Sequence, residues 1–150
     1  MTDSQREQVY QAEDRLCDLF DTADRIGNRM LVLDGINLTL PTEYKFASVA
    51  GVQRYCDEVC ERRGWRPVRV RERKGQHRAH YQRGEIAVPM VDRWALREIV
   101  ILHELAHHAV RGGHTPQFVG ALANLFDDVM APEAGLVYRL LCQHNGVKIG

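Results

Sequence analysis

The sequence lacks the features that mark membrane-spanning, exported and disordered proteins. No apolar stretch approaches the ~18 residues of a membrane-spanning helix, and the opening segment MTDSQREQVYQAEDRL has none of the apolar core of a signal peptide. A hydrophobic fraction of 45% and a charged fraction of 27% are typical of a folded globular domain. We therefore expect a cytoplasmic protein without membrane contact, folded as a single domain over residues 1–150.

Cysteine is scarce, and its spacing does not suit a zinc ribbon or a disulfide framework. The chain has four cysteines, and no two of them form a CxxC pair. Cys56 and Cys60 lie four residues apart on a predicted helix, where the geometry for a disulfide is poor. We interpret all four as core thiols in a reducing compartment.

The chain also lacks a net charge, although its charges are unevenly distributed. Its 20 basic residues balance its 20 acidic residues, so no overall field attracts it to nucleic acid or to a membrane surface. Residues 1–24 nevertheless carry a net charge of −5, and we expect an acidic helix over about residues 4–26. Residues 61–85 carry a net charge of +6.

Three arginines of this basic segment alternate with other residues, as in a strand with one solvent-facing side. Arg69, Arg71 and Arg73 share that side and could contact DNA phosphates. A solvated strand face is the simpler interpretation, because the chain uses 17 arginines and only 3 lysines throughout. Since the acidic helix offers an internal partner for the same face, we expect any DNA contact through these arginines to be weak.

The order of the predicted elements indicates an α+β fold. An extended segment follows the acidic helix, and a second helix begins at Ser48, a suitable N-cap. Short strands follow, and the last part of the chain is helical. We expect a small, mostly antiparallel sheet packed on a buried helix, with helices flanking it. The predicted elements after Ser48 are strands over 68–73, 80–83 and 85–88, and helices over 93–111, 115–129 and 132–145.

The most informative segment is His103-Glu104-Leu105-Ala106-His107, which lies within the predicted buried helix. Two histidines four residues apart share a helix face, so both imidazoles can reach one point in space. Neutral imidazole is a good ligand for Zn²⁺. Glu104 is turned by about 100° from His103 around the helix axis, where a carboxylate can act as general base without binding the metal. The segment therefore predicts one zinc ion per chain, bound by His103 and His107.

A zinc site needs a third protein ligand, and His114 is the first candidate. It follows His107 by seven residues, and the intervening glycines can turn the chain back over the end of the metal helix. Glu133, on a later helix, is the alternative third ligand. His108 points about 100° away from His107 on the same helix, so we interpret it as a supporting or surface residue.

The pattern HExxH-x6-H-x3-F is formed by the segment 103–107 together with His114 and Phe118. The pattern resembles that of the SprT-like and WLM-type minimal zinc peptidases, and that of a group of small bacterial and phage metallohydrolases. The resemblance is specific over residues 99–118 and extends in architecture over about residues 45–130. Thr115 stands where such families usually carry a glycine, which changes the turn and leaves the ligand in place.

The resemblance implies a minimal zincin-like metallohydrolase domain with its metal-site core at about residues 45–130. It also implies a peptide or protein substrate, hydrolysed by zinc-activated water with Glu104 as general base. In zincin-like proteins, the strand that precedes the metal helix is an edge strand that can pair with an extended substrate. By this resemblance, Ile86, Ala87 and Val88 are the candidate substrate strand.

Several assignments stay open at this point. The group that stabilises the oxyanion is Tyr138, Tyr81 or an arginine. Two other classes of function also stay open, a non-catalytic zinc-bound regulatory module and a nucleic-acid-associated module. Glu104 distinguishes an enzyme from the first of these, because a purely structural zinc site has no use for a carboxylate beside an open metal position.

Overall fold

The structure, a computed structural model, describes residues 3–150 and has an α+β architecture. The helices over this range are α1 Arg6–Ile26, α2 Val49–Arg63, α3 Glu98–Ala109, α4 Pro116–Leu125 and α5 Pro132–His144. The strands are β1 Met30–Leu33, β2 Ile36–Thr39, β3 Arg69–Glu72, β4 His80–Gln82 and β5 Glu85–Val88. The predicted α+β class and the predicted acidic helix are confirmed. No helix within residues 3–150 is both long enough and apolar enough to cross a membrane.

The chain divides into two compact units, each with its own set of packed elements. The first unit comprises the chain up to Glu43 together with Gly112–Gly150, and the second comprises Tyr44–Arg111. The predictions of a single domain over residues 1–150 and of a metal-site core at about residues 45–130 stay predictions.

The first unit is built mainly from helices. Helix α1 packs against α5, and α4 continues into one π-helical turn over Phe126–Met130 that also contacts α5. Strands β1 and β2 form an antiparallel hairpin. Asp34 and Gly35 both have positive φ angles, of 50° and 76°, as the tight turn of such a hairpin requires. Fully buried side chains fill the core of this unit; the largest are Tyr138, Phe20, Phe118, Phe126, Leu16, Leu122 and Leu125.

The second unit contains a three-stranded sheet with the order β3-β5-β4. Strand β5 pairs in parallel with β3 and antiparallel with β4. Val70 and Ile86 are buried, whereas Arg69 and Arg71 are exposed. Helix α2 contacts β3, and α3 contacts both β4 and α2. This sheet therefore presents one apolar side to the core of its unit and one charged side to solvent.

This strand order contradicts the prediction that Ile86, Ala87 and Val88 form an edge strand. These residues belong to β5, which is the central strand and is hydrogen-bonded along both sides. The prediction was wrong because β3, which precedes β5 by more than a dozen residues, takes the position beside it. The edge strands of this sheet are β3 and β4.

The metal helix is shorter than the predicted helix over residues 93–111. The Asp92 side chain caps a single 3₁₀ turn, Arg93–Ala95, and Arg97 then adopts an extended conformation (φ −136°, ψ 152°) before α3 begins. The Glu98 carboxylate accepts a hydrogen bond from the Tyr44 N–H at 3.0 Å and another from the Tyr55 hydroxyl at 2.5 Å. Glu98 is 6% exposed, so this buried carboxylate fixes the start of α3.

Removing this carboxylate should destabilise the protein more than removing an exposed one. Glu98→Ala leaves the Tyr55 hydroxyl and the Tyr44 N–H without this acceptor, and we expect the free energy of unfolding to fall by about 2–4 kcal/mol. Glu58→Ala is the matched control, because Glu58 forms only an exposed ion pair with Arg62 and should cost less than about 0.5 kcal/mol. Urea unfolding monitored by circular dichroism measures both; equal losses would contradict this role of Glu98.

Candidate metal centre

Helix α3 is buried around most of its circumference. Ile99, Ile101, Leu102 and Leu105 have no exposed surface. Two of its polar side chains are buried as well: His103 is 2% exposed and Glu104 is 6% exposed. A helix this apolar holds its polar groups in a surrounding of low dielectric constant, where their electrostatic interactions are strong.

His103 and His107 lie on the same face of α3. Their ring centroids are 4.9 Å apart, with an interplanar angle of 71°. His103 is buried and His107 is half-buried near the last turn of the helix. The four-residue spacing thus produces the convergence of imidazoles that the sequence predicts.

His114 is held by the loop that precedes α4. Gly112 has a φ angle of 99°, in the region that favours glycine, and the chain turns there. The Thr115 hydroxyl accepts a hydrogen bond from the Phe118 N–H and so caps α4, and Pro116 occupies the first turn of this helix. The buried ring of Phe118 packs edge-on against the His114 ring at 5.0 Å.

The three histidines come together as a group that could hold a metal ion. His103, His107 and His114 each offer one ring nitrogen, and these atoms all lie within 4.8 Å of one another. Within residues 3–150, Glu133 belongs to no such group. The structure therefore brings together the three predicted ligands and not the alternative one.

Asp3, which is not among the predicted site residues, contacts His114 through both of its carboxylate oxygens. Oδ2 lies 2.7 Å from the His114 Nδ1, and Oδ1 accepts a hydrogen bond from the His114 backbone N–H at 3.0 Å. Burial acts to raise the pKa of Asp3, but the His114 hydrogen bonds and the charges of His114 and Arg6 lower the pKa overall. No local pattern marks Asp3, because its partner lies 111 residues away in the sequence.

His108 is a structural residue of the second unit, as its position on the helix predicts. Its Nε2 lies 2.7 Å from the Arg66 carbonyl oxygen, and its Nδ1 lies 2.8 Å from the Tyr81 hydroxyl. Because a carbonyl can only accept, Nε2 carries the proton and Nδ1 accepts from Tyr81. The Tyr81 oxygen in turn accepts from the Gly84 N–H at 2.9 Å. Tyr81 is therefore engaged in this hydrogen-bond chain.

Tyr138, another candidate for stabilising the oxyanion, lies inside the core of the first unit. It has no exposed surface, and its ring packs edge-on against Phe126 at 5.0 Å. Burial, followed by the charge of Glu13, raises the pKa of its hydroxyl well above the usual value. A hydroxyl in this position packs as a core residue and does not face a surface that a substrate can reach.

The cysteines form neither a disulfide nor part of the histidine group. All four are buried, and within residues 3–150 none of them forms a disulfide. Burial, with the charge of Glu13, raises the pKa of Cys142 to about 12, and burial raises that of Cys60 as well. Thiols with raised pKa values are weak nucleophiles and weak metal ligands, which agrees with their prediction as core thiols.

The basic face of the three-stranded sheet is partly neutralised within the sheet itself. The Arg71 Nε donates to the Glu85 carboxylate, and the Arg69 side chain lies 4.0 Å from the same carboxylate. Arg73 donates to the Arg78 carbonyl oxygen at 2.7 Å. Glu85 on the neighbouring strand is therefore a partner for this face that the sequence analysis did not identify.

Comparison of the chain with protein-family models, with curated proteins and with solved structures gives no match in any of the three. The resemblance to minimal zinc peptidases consequently rests on the residues of the chain itself.

Proposed function

We propose that this protein is a zinc-dependent metallohydrolase, and that it acts on peptide bonds. The observation that carries the proposal is the convergence of His103, His107 and His114 within 4.8 Å. Glu104, on the same helix and buried, supplies the carboxylate that hydrolysis requires. The peptide bond as target follows from the resemblance to minimal zincins.

The three histidines fit a zinc ion by their chemistry and by their spacing. A catalytic zinc site commonly has three protein ligands and leaves the fourth position for water. All three donors here are ring nitrogens, and two of the three side chains are buried. Zn²⁺ bound by such ligands acts as a Lewis acid that lowers the pKa of its water to about 7.

Glu104 acts as general base in the proposed reaction. It follows His103 directly, so its side chain leaves the helix about 100° from the side of that ligand. It accepts a proton from the attacking water and then returns this proton to the leaving amine. The carboxylate is 6% exposed, so it is largely shielded from bulk water.

The substrate strand needs a different assignment from the one predicted. Strand β5 has no open edge, whereas β4 is an edge strand of the same sheet and contacts α3. We assign His80–Gln82 as the segment beside which an extended peptide would lie. We place the protein in the cytoplasm, where a reducing environment suits its four buried thiols.

Two other functions would involve the same residues in different roles. A zinc-bound regulatory module would need the histidines without Glu104 as base. A nucleic-acid-associated module would use Arg69, Arg71 and Arg73, with the metal as a structural part. The buried position of Glu104 on the metal helix favours the enzyme over the first of these functions, and the ion pair between Arg71 and Glu85 weakens the second.

Metal analysis tests the ligand set. We expect about one zinc ion per purified chain, and each of the variants His103→Ala, His107→Ala and His114→Ala should lose most of it, because two imidazoles do not complete a zinc site. His144→Ala is the matched control, since this imidazole pairs with Asp34 at an exposed position. Plasma emission spectrometry gives the stoichiometry. Metal retained in His114→Ala and lost in Glu133→Ala would show that the third ligand is Glu133.

A conservative change of Glu104 separates an enzyme from a binding module. Glu104→Gln keeps the shape of the side chain and removes its basicity, so hydrolysis of an unfolded protein substrate should fall by at least about 100-fold while zinc stays bound. Glu133→Gln is the matched control and should retain the activity of the parent. Hydrolysis by Glu104→Gln at the rate of the parent would contradict the mechanism, and loss of zinc from that variant would make Glu104 a structural residue.

DNA binding should be weak and non-specific at physiological salt. Three arginines can contact about three phosphates, which gives modest affinity that falls steeply as salt increases, and Glu85 already neutralises part of this face. A fluorescence anisotropy titration at about 150 mM salt measures the affinity. Sub-micromolar binding that is lost when Arg69, Arg71 and Arg73 are all changed to Ala would overturn this expectation and favour a nucleic-acid-associated function.

A further inference from the structure

Asp3 holds His114 by two contacts that together fix both the loop and the ring. One carboxylate oxygen accepts from the His114 backbone N–H at 3.0 Å, and the other lies 2.7 Å from the ring Nδ1. The His114 side chain is 6% exposed, and that of Asp3 is 28% exposed. We propose that Asp3 is a positioning residue that orients His114 and selects its metal-binding tautomer, an inference that rests on the proposed function of the histidine group.

The contact between the Asp3 carboxylate and the His114 ring determines which nitrogen of that ring can bind a metal. A carboxylate is an acceptor, so the Nδ1 that faces Asp3 carries a proton. In a neutral imidazole with a proton on Nδ1, Nε2 is the nitrogen whose lone pair can bind a metal. A carboxylate on the N–H of a ligating histidine also increases the basicity of the ring, and loss of such a partner typically weakens metal binding about 10- to 100-fold.

Gly113 provides the space that the Asp3 carboxylate occupies. A Cβ atom at this position would lie 2.5 Å from the Asp3 Oδ2 and 2.6 Å from its Cγ, which is closer than real Cβ contacts. The φ angle of Gly113 is not among the positive ones, so alanine is acceptable to the backbone there. Glycine at position 113 is therefore explained by the approach of Asp3 rather than by backbone conformation.

Gln5, two residues after Asp3, forms hydrogen bonds that connect this N-terminal segment to the loop containing His114. Its Nε2 donates to the His114 carbonyl oxygen at 3.1 Å and to the Lys148 carbonyl oxygen at 3.2 Å. Its Oε1 accepts from the Lys148 N–H at 2.6 Å. The residues around Asp3 are thus tied at two further points, which limits the freedom of the carboxylate and makes its contact with the ring specific.

The first test measures the affinity of the metal-free chain for Zn²⁺ by competition with a chromophoric chelator. Asp3→Ala should bind Zn²⁺ about 10- to 100-fold more weakly than the parent. Gly113→Ala should weaken binding in the same direction, because it displaces a carboxylate that is still present. Asp34→Asn is the matched control, because it alters another carboxylate–imidazole pair, with His144, that lies outside the histidine group; its affinity should match the parent within about twofold.

The second test reads the tautomer of His114 directly and needs no metal. Imidazole nitrogen chemical shifts, recorded for the metal-free chain with increasing pH until they no longer change, should show a proton on Nδ1 in the parent and a mixture of tautomers in Asp3→Ala. Affinities of Asp3→Ala and Gly113→Ala within about twofold of the parent, or an unchanged tautomer in Asp3→Ala, would overturn the role of Asp3 and leave the proposed metal centre standing. A parent chain that binds no Zn²⁺ would overturn both.

Discussion

The candidate centre depends on the burial of polar groups along one apolar helix. Ile99, Ile101, Leu102 and Leu105 are fully buried, and each such side chain contributes about 1.5–3 kcal/mol to folding. A buried polar group without a partner costs about 1–3 kcal/mol, which is of the same size. The four aliphatic residues of α3 therefore more than offset the burial of His103 and Glu104, and each interaction of these polar groups lowers the cost of burying them further. A metal ion bound by the histidines would supply one such interaction.

The direction of α3 is fixed before the first of its histidines. The extended Arg97 separates the 3₁₀ turn from the helix, and Glu98 then anchors the first turn through Tyr44 and Tyr55. Since helix geometry is regular, fixing residue 98 also fixes the rotation of the residues one and two turns later. The direction in which the two imidazoles point thus depends on a carboxylate that is itself no part of the histidine group.

Much of this arrangement could be predicted from local sequence, because caps and helix spacing act over three or four residues. Ser48, Thr115 and the histidine pair of α3 are examples. The position of β5 between β3 and β4 and the contact of Asp3 with His114 could not, because both join segments that are distant in the sequence. The hairpin of β4 and β5 is local, but the parallel partner that closes the edge of β5 is not.

The two carboxylates of the proposed centre, Asp3 and Glu104, differ in the groups with which they interact. A divalent ion on three neutral imidazoles is a buried positive charge, and such a charge is unfavourable unless negative groups lie near it. Asp3 would act through the ring of His114. Its negative charge would make His114 a stronger ligand, and its position is set by its contact with that ring. Glu104 is not part of the proposed ligand set, so it can exchange a proton without breaking a bond to the metal. In the proposed centre, the same type of side chain would therefore perform two tasks that cannot be exchanged, because one carboxylate must stay ionised against an N–H group while the other must take up a proton and release it.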